Sequence, residues 1–210
     1  MKKLLIILVF ISLGFYSQAK TASGFIITTN LDTVFGEIKL HKFERATGAF
    51  LLNGFDLNWC FFSVSFKGRN DKRFKNYKPF ELHGYEFTYN SVIYVFKSFD
   101  VYFTRLINQK DQIPRFLQRI FEGEICLYRD IIYAPQMTES AKFHAYYEYY
   151  LFKSNIGLFK VEATNSIETV NDLLIKYDVE HEFIEELSPG VRFKDIGLIL
   201  EQYKQWLGNK

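Results

Sequence analysis

Four tyrosines surround one carboxylate in the segment HAYYEYYLF. They are Tyr146, Tyr147, Tyr149 and Tyr150, and the carboxylate is that of Glu148. A tyrosine combines a flat apolar face with a hydroxyl, which suits stacking on a sugar or filling a pocket of another protein. If the segment is a strand, Tyr147 and Tyr149 share one side, and Tyr146 and Tyr150 share the other. The four tyrosines are candidate ligand-binding residues, although cross-strand packing in a tyrosine-rich sheet is the favoured interpretation of the pattern.

The two cysteines, Cys60 and Cys126, are the second pair with chemical potential. In an oxidising compartment they can form a disulfide, and on the chain-entropy estimate its closed loop would stabilise the fold by about 4 kcal/mol. The alternative is two separate buried thiols, since free cysteine is often a small core residue.

Motifs of the common catalytic and cofactor sites do not occur in the sequence. The four histidines, His41, His83, His144 and His181, form no HExxH pair, so we expect no metal site. The sequence also contains no G-x-S-x-G, S-x-x-K or phosphate-binding glycine loop, and we expect no cofactor. Glycoside hydrolysis needs two carboxylates at a set separation across a cleft, and the sequence gives no reason to choose one pair, such as Glu148 with Asp130, over another. Enzymatic activity is therefore unsupported, and a non-catalytic protein is the preferred interpretation.

The N-terminal residues 1–19 have the pattern of a cleavable signal peptide. Lys2 and Lys3 precede an apolar run, and Ser17-Gln18-Ala19 supplies the small residues that signal peptidase reads. Because the run is shorter than the roughly 20 residues of a membrane-spanning helix, we expect export to the periplasm, the outer surface or the medium. Removal of Lys2 and Lys3 reduces the 26 basic residues to 24, equal to the 24 acidic residues. A neutral mature chain gives no electrostatic support for nucleic-acid binding.

The remaining residues, 20–210, are predicted to form one α+β domain that is β-rich over 24–152 and helical over 164–208. The segment Tyr77–Phe99 reads as strand, turn and strand, with Asn90-Ser91 at the turn. A second tight turn is predicted at Asn30-Leu31-Asp32, between two β-prone runs. Local turns between short strands favour an antiparallel meander over βαβ units.

Other segments complete the predicted elements. Leu57–Lys67 is predicted to be a strand, Pro114–Phe121 a short helix that Gly123 ends, and Glu124–Tyr133 a strand. His144–Phe152 is predicted to be a strand, with a helix as the alternative. Apolar stripes at helical spacing then predict packed C-terminal helices over 167–177, 182–187 and from 196 onward.

Three motifs resemble a family of uncharacterised secreted or cell-envelope proteins of Bacteroidetes-type Gram-negative bacteria. They are G-F-I-I-x4-D-T-V-x-G-x-I at Gly24–Ile38, Y-x-P-x-E-L-x-G-Y at Tyr77–Tyr85 and F-L-x-x-I-x-x-G-x-I-x-L-Y at Phe116–Tyr128. The resemblance implies an envelope or secreted location and carries no activity.

These observations predict an exported, non-catalytic domain that binds another envelope component, protein or glycan, through a strand edge or tyrosine surface. An envelope hydrolase with an unfamiliar site is the alternative. A peripheral membrane protein is a third interpretation, because Trp206 lies near Lys204 and Lys210 in the last helix. We expect no integral membrane segment after signal cleavage, and the sequence leaves the oligomeric state open.

Overall fold

The computed structural model of the chain describes residues 20–45, 47–51, 54–104, 110–135, 143–161, 167–187 and 195–210. The predicted signal peptide therefore lies outside the described residues. The structure is mostly antiparallel sheet with helices near the C-terminus, so the α+β class is confirmed. Among the described residues, no helix is both long and apolar enough to cross a membrane.

Ten strands form the sheet. They are β1 (Lys20–Thr28), β2 (Thr33–Leu40), β3 (Val64–Gly68), β4 (Lys75–Tyr77), β5 (Leu82–Tyr89), β6 (Val92–Thr104), β7 (Lys110–Phe121), β8 (Cys126–Pro135), β9 (Phe143–Lys153) and β10 (Gly157–Val161). Their order across the sheet is β10-β9-β8-β7-β6-β5-β1-β2-β3-β4. Neighbours in the sheet are thus neighbours in sequence, except where β5 pairs with β1.

The helices are α1 (Ile167–Lys176), α2 (His181–Glu186) and α3 (Ile196–Gly208), with 3-10 helices at Leu57–Phe61 and Pro79–Glu81. The chain divides into two compact units. The first comprises residues up to 94 together with 98–116, and the second comprises 95–97 together with 117–210.

In the first unit the sheet must curl, because the chain crosses from β4 to β5 in a very short connection. Only residues 78–81 separate Tyr77 from Leu82. In a flat sheet β4 and β5 would stand four strand spacings apart, roughly 19 Å. Five residue steps reach at most about 17 Å, and a 3-10 turn within them shortens that reach. The curl brings the edge strand toward β5 around an aromatic core.

That core is built from rings on the inner face of β5 and from the 3-10 helix at Leu57–Phe61. Tyr85 lies edge-on to Phe116 with ring centroids 4.9 Å apart, and Phe87 stacks on Tyr94 at 5.0 Å. The Tyr85 hydroxyl donates a hydrogen bond to the Cys60 carbonyl oxygen at 2.6 Å. This bond ties the 3-10 helix to β5 and satisfies a buried polar group.

The second unit buries the apolar faces of α1, α2 and α3 against β8, β9 and β10. Leu127, Leu151 and Val161 supply the strand side of this core, and Leu174 and Leu200 lie on the helix side. The packed C-terminal helices predicted from the 3.6-residue periodicity are confirmed.

The two predicted turns are also confirmed. Thr28 and Asp32 close the turn between β1 and β2, and Asn90 and Ser91 connect β5 to β6. Asn90 and Ser91 both have positive φ, 50° and 63°, as a two-residue hairpin with the native twist requires.

Two predicted elements are wrong. Pro114–Phe121 belongs to strand β7, not to a helix. Successive strand residues face opposite sides, and yet Phe116 and Leu117 are both fully buried. Because the strand is covered on both faces at this point, its apolar residues follow each other in a pattern that resembles that of a helix. The predicted strand Leu57–Lys67 is a 3-10 helix followed by β3, because the Asp56 side chain caps the helix by accepting from the Asn58 backbone N–H at 3.0 Å.

Candidate binding groove

A groove crosses the outer face of the first unit, at right angles to β1, β2, β3 and β5. Its cavity volume is about 540 Å³. We call it the transverse groove. It has a floor of backbone and two rows of side chains as walls, so it offers a ligand three different surfaces.

The floor is a row of glycines in register across three strands. Gly24 of β1 is opposite Gly36 of β2, and Gly36 is opposite Gly68 of β3. On the other side of β1, Gly24 is opposite Phe87 of β5. These residues direct no side chain toward the outer face, and the groove follows their row.

The inner side of the same row explains why glycine is required there. A Cβ atom on Gly24 would overlap the Glu86 carbonyl oxygen and lie 2.9 Å from the Cβ of Phe87. A Cβ atom on Gly36 would overlap the Lys67 carbonyl oxygen and lie 2.6 Å from the Phe66 ring. Both rings are buried, so the glycines make room for core aromatics on one side while they form the floor on the other.

The first wall, the polar wall, consists of Ser23, Glu37, Lys67 and Thr88. Ser23 is opposite Glu37, and Glu37 is opposite Lys67, so their side chains stand in one line. The Lys67 ammonium bridges the Glu37 carboxylate at 2.8 Å. This wall presents hydroxyls and a closed ion pair to a ligand.

The second wall, the aromatic wall, consists of Phe25 and Phe35 with Glu86 and Arg69 at its two ends. Phe25 is opposite Phe35 and Glu86 in the ladder. The two phenylalanine rings lie 5.6 Å apart at 60°, and the Arg69 guanidinium lies 5.9 Å from the Phe35 ring centroid. Phe35 is 54% exposed. With Phe25 beside it, this exposed ring forms a small contiguous apolar patch, and such patches can serve as contact surfaces.

The charges around the groove balance. Two acidic side chains, Glu37 and Glu86, face two basic ones, Lys67 and Arg69. Of these, Glu37 and Lys67 neutralise each other directly. The groove therefore attracts neither anions nor cations over a long range.

The candidate tyrosines lie in the second unit, on β9, and their exposure changes along the strand. Tyr146 and Tyr147 are 47% and 40% exposed. Tyr149 packs against the helical core, and Tyr150 is buried. The alternation of a strand predicts that exposure divides by its two faces. It divides by position instead, because Tyr149 and Leu151 pack against the helices on one face of β9 while Tyr150 is buried on the other face.

The carboxylate of Glu148, which the tyrosines surround, has partners within the protein. Glu148 receives a salt bridge from Lys160 at 2.6 Å and a hydrogen bond from the Tyr150 hydroxyl at 3.1 Å. Glu148 is also the ladder partner of the buried Asp130, so two carboxylates do stand opposite each other in the sheet. Arg129 lies over the Tyr147 ring at 4.4 Å.

Cys60 and Cys126 are free thiols in the structure. Cys60 is buried in the first unit, and that burial raises the pKa of its thiol to about 12. Cys126 is partly buried in the second unit, and its thiol donates to the Gly123 carbonyl oxygen at 3.4 Å. Their disulfide stays a prediction.

No three metal-ligating side chains gather in the part of the chain that the structure describes. His41 stacks on Trp59 at 4.6 Å, and burial lowers its pKa. His181 contacts Glu185 on an exposed face of α2.

The residues proposed for membrane contact lie in α3, and they make contacts that hold this helix against the second unit. Trp206 packs against the helical core and lies 5.8 Å from the Phe183 ring. The Lys204 ammonium donates to the Glu122 carbonyl oxygen at 3.2 Å, and Lys210 lies over the Trp206 ring at 3.9 Å.

Comparison with known family models, curated proteins and solved structures gives no match. The groove is thus defined by its geometry alone. One signal in the sequence points to it: Gly24 and Gly36 are equidistant from the turn at Asn30, so a hairpin must place them opposite each other.

Proposed function

We propose that the chain is an exported, non-catalytic domain that binds another component of the cell envelope in the transverse groove. The observation that carries this proposal is the exposed Phe35 beside Phe25, opposite a polar wall, over a floor of glycine backbone. Concave sites with apolar surface and a few placed polar groups are where proteins usually bind ligands. The signal-like residues 1–19 support export.

We place the ligand in the transverse groove and not on the tyrosine surface of β9. Tyr149 packs against the helical core and Tyr150 is buried, which leaves Tyr146 and Tyr147 as the exposed members of the candidate set. The wall of two adjacent rings and the separate polar wall give the groove both an apolar and a polar contact.

The test is photo-crosslinking in cells. A benzophenone analogue of phenylalanine replaces Phe35 in the groove, and in a control variant it replaces Phe43, which is 57% exposed in the same unit. We expect an envelope fraction that contains the processed chain, with an adduct at position 35 that position 43 does not give. Identical adducts at both positions would refute groove binding, and a cytoplasmic chain that retains Met1–Ala19 would refute export.

A hydrolase is the second candidate, and the ladder pair of Asp130 and Glu148 is the observation in its favour. A pair of carboxylates that flank the scissile bond is the usual catalytic group of a glycoside hydrolase. Glu148→Gln should then abolish the release of reducing sugar from an envelope glycan, while Glu201→Gln, at an exposed position of α3, should leave it unchanged. Equal activity of the wild type and Glu148→Gln would remove this candidate.

A further inference from the structure

We infer that the ligand of the transverse groove is an extended, uncharged glycan strand. This inference rests on the proposed function, because it names the chemical class that the groove would take. A polypeptide is the competing class. The direction of the groove and the difference between its walls separate the two classes, and the charge and shape of the groove narrow the kind of glycan.

The first feature is the direction of the groove. A peptide that binds a sheet commonly adds a strand at an edge and uses main-chain hydrogen bonds. Here the floor residues Gly24 and Gly36 lie inside the ladder, paired with each other and with β5 and β3. Their backbone N–H and C=O groups are used in the ladders with neighbouring strands. A ligand that crosses these strands at right angles must therefore be recognised by side chains.

The second feature is the difference between the walls. A pyranose ring has C–H groups on its faces and hydroxyls around its rim. The faces of Phe25 and Phe35 carry negative quadrupole charge, which attracts such C–H groups. The polar wall offers the hydroxyl of Ser23, the carboxylate of Glu37 and the ammonium of Lys67, so both donors and acceptors are present for sugar hydroxyls.

The third feature is charge. Glu37 and Lys67 are already bridged, and Glu86 and Arg69 stand at opposite ends of the aromatic wall. A strongly anionic or cationic polymer would therefore gain no net attraction, whereas an uncharged one loses nothing.

The fourth feature is shape. The groove crosses four strands, which makes it about 14 Å long, and its walls are two residues apart along each strand, roughly 7 Å. The row follows the curl of the sheet, so a ligand that lies along it is an extended chain that bends with the surface.

The experiment is a titration of the folded full mature chain with three soluble probes, followed by NMR or calorimetry. The probes are a tetramer of β-1,4-linked glucose, a tetramer of β-1,4-linked N-acetylglucosamine and a tetramer of α-1,4-linked glucose. We expect binding of at least one of the three probes, and comparison of the three shows which linkage the groove accepts. Phe35→Ala should weaken the bound probe by roughly tenfold, the loss of one aromatic contact. Binding of none of the three probes would overturn the inference.

Two further variants keep the result interpretable. Phe43→Ala removes an equally exposed ring of the same unit and should leave binding unchanged. Ser23→Trp fills the groove from an exposed position without entering the core, and should abolish binding while the unfolding midpoint stays the same. Binding that survives Ser23→Trp would overturn the inference.

The crosslinked adduct at position 35 separates failure of this inference from failure of the proposed function. Trypsin releases that position in the peptide Thr21–Lys39. A peptide that carries a sugar mass ladder supports the glycan. A peptide joined to another polypeptide overturns the glycan but leaves groove binding in place, and the absence of any groove-specific adduct refutes both.

Discussion

Gly24 and Gly36 lie directly opposite each other on β1 and β2, and neither has room for a Cβ atom on its inner side. Phe87 occupies the space beside Gly24, and Phe66 occupies the space beside Gly36. The groove floor and the aromatic packing beneath it therefore depend on the same two positions. A side chain at either one would disturb both the floor and the core.

Gly36→Ala should destabilise the first unit, because the new methyl group would overlap the Lys67 carbonyl oxygen and the Phe66 ring. Overpacking of this kind costs about 1–3 kcal/mol. The measurement is the urea unfolding midpoint. Gly208→Ala is the control, since a Cβ there meets nothing within 4 Å and should leave the midpoint unchanged or slightly higher. Equal midpoints for Gly36→Ala and wild type would mean that the row tolerates side chains.

Lys153→Met should destabilise the second unit. The Lys153 side chain is 7% exposed, and its ammonium lies 2.7 Å from Glu124 and donates to the Tyr177 carbonyl oxygen at 3.0 Å. Methionine keeps much of the aliphatic volume but leaves these acceptors unpaired, at a cost of roughly 1–3 kcal/mol. Lys160→Met is the matched control on the neighbouring strand, because its side chain is 46% exposed and its bridge to Glu148 should contribute about 1 kcal/mol at most. Equal losses in the two variants would contradict the role assigned to Lys153.

Stability should fall between pH 9 and pH 10 through Cys60. Its pKa is raised from 9.0 to about 12 by burial, so the unfolded chain releases this proton first. The stabilisation is therefore fully present below pH 9 and is lost as the pH rises toward 12, by up to about 1.4 kcal/mol per pH unit. Denaturant unfolding of the reduced protein at pH 8, 9 and 10 measures the slope. Cys60→Ala should be less stable at pH 8 and show a shallower slope, and an unchanged slope would exclude Cys60 as its source.

Ser91→Gly should stabilise the hairpin between β5 and β6. Ser91 has a φ of 63°, a conformation that costs an L-residue about 1 kcal/mol and that glycine adopts freely. We expect a higher thermal midpoint for Ser91→Gly and no gain for Ser91→Ala, which keeps the Cβ atom. A gain in both variants would point to the loss of the hydroxyl instead.

Turns and amphipathic helices could be predicted from the sequence because their signals are local. Asn90 and Ser91, the turn at Asn30–Asp32, and the stripes of α1 and α3 each depend on a few neighbouring residues. Strand β7 could not be predicted in this way because Phe116 and Leu117 are buried on opposite faces of it, which is a property of the tertiary structure. The single domain over 20–210 stays a prediction.

The groove could not be predicted from any one segment. Its walls alternate with core residues on four strands, and β3 and β5 come from separate parts of the chain. The hairpin symmetry of Gly24 and Gly36 was visible in the sequence, but the addition of Gly68 depends on the β2–β3 register. The tyrosine run is conspicuous because its residues are adjacent, whereas Phe25 and Phe35 are close only after folding.

In this part of the sheet, some positions accept only glycine, while the neighbouring wall positions can accept other side chains. Substitution on the inner side is resisted by the packing of Phe66 and Phe87, while the wall residues on the outer side meet mostly solvent and each other. Changes at Ser23, Phe35 or Thr88 would then alter the surface of the groove at little cost in folding. If the proposed binding is correct, a few surface substitutions would change the ligand, and a library restricted to the walls would test this.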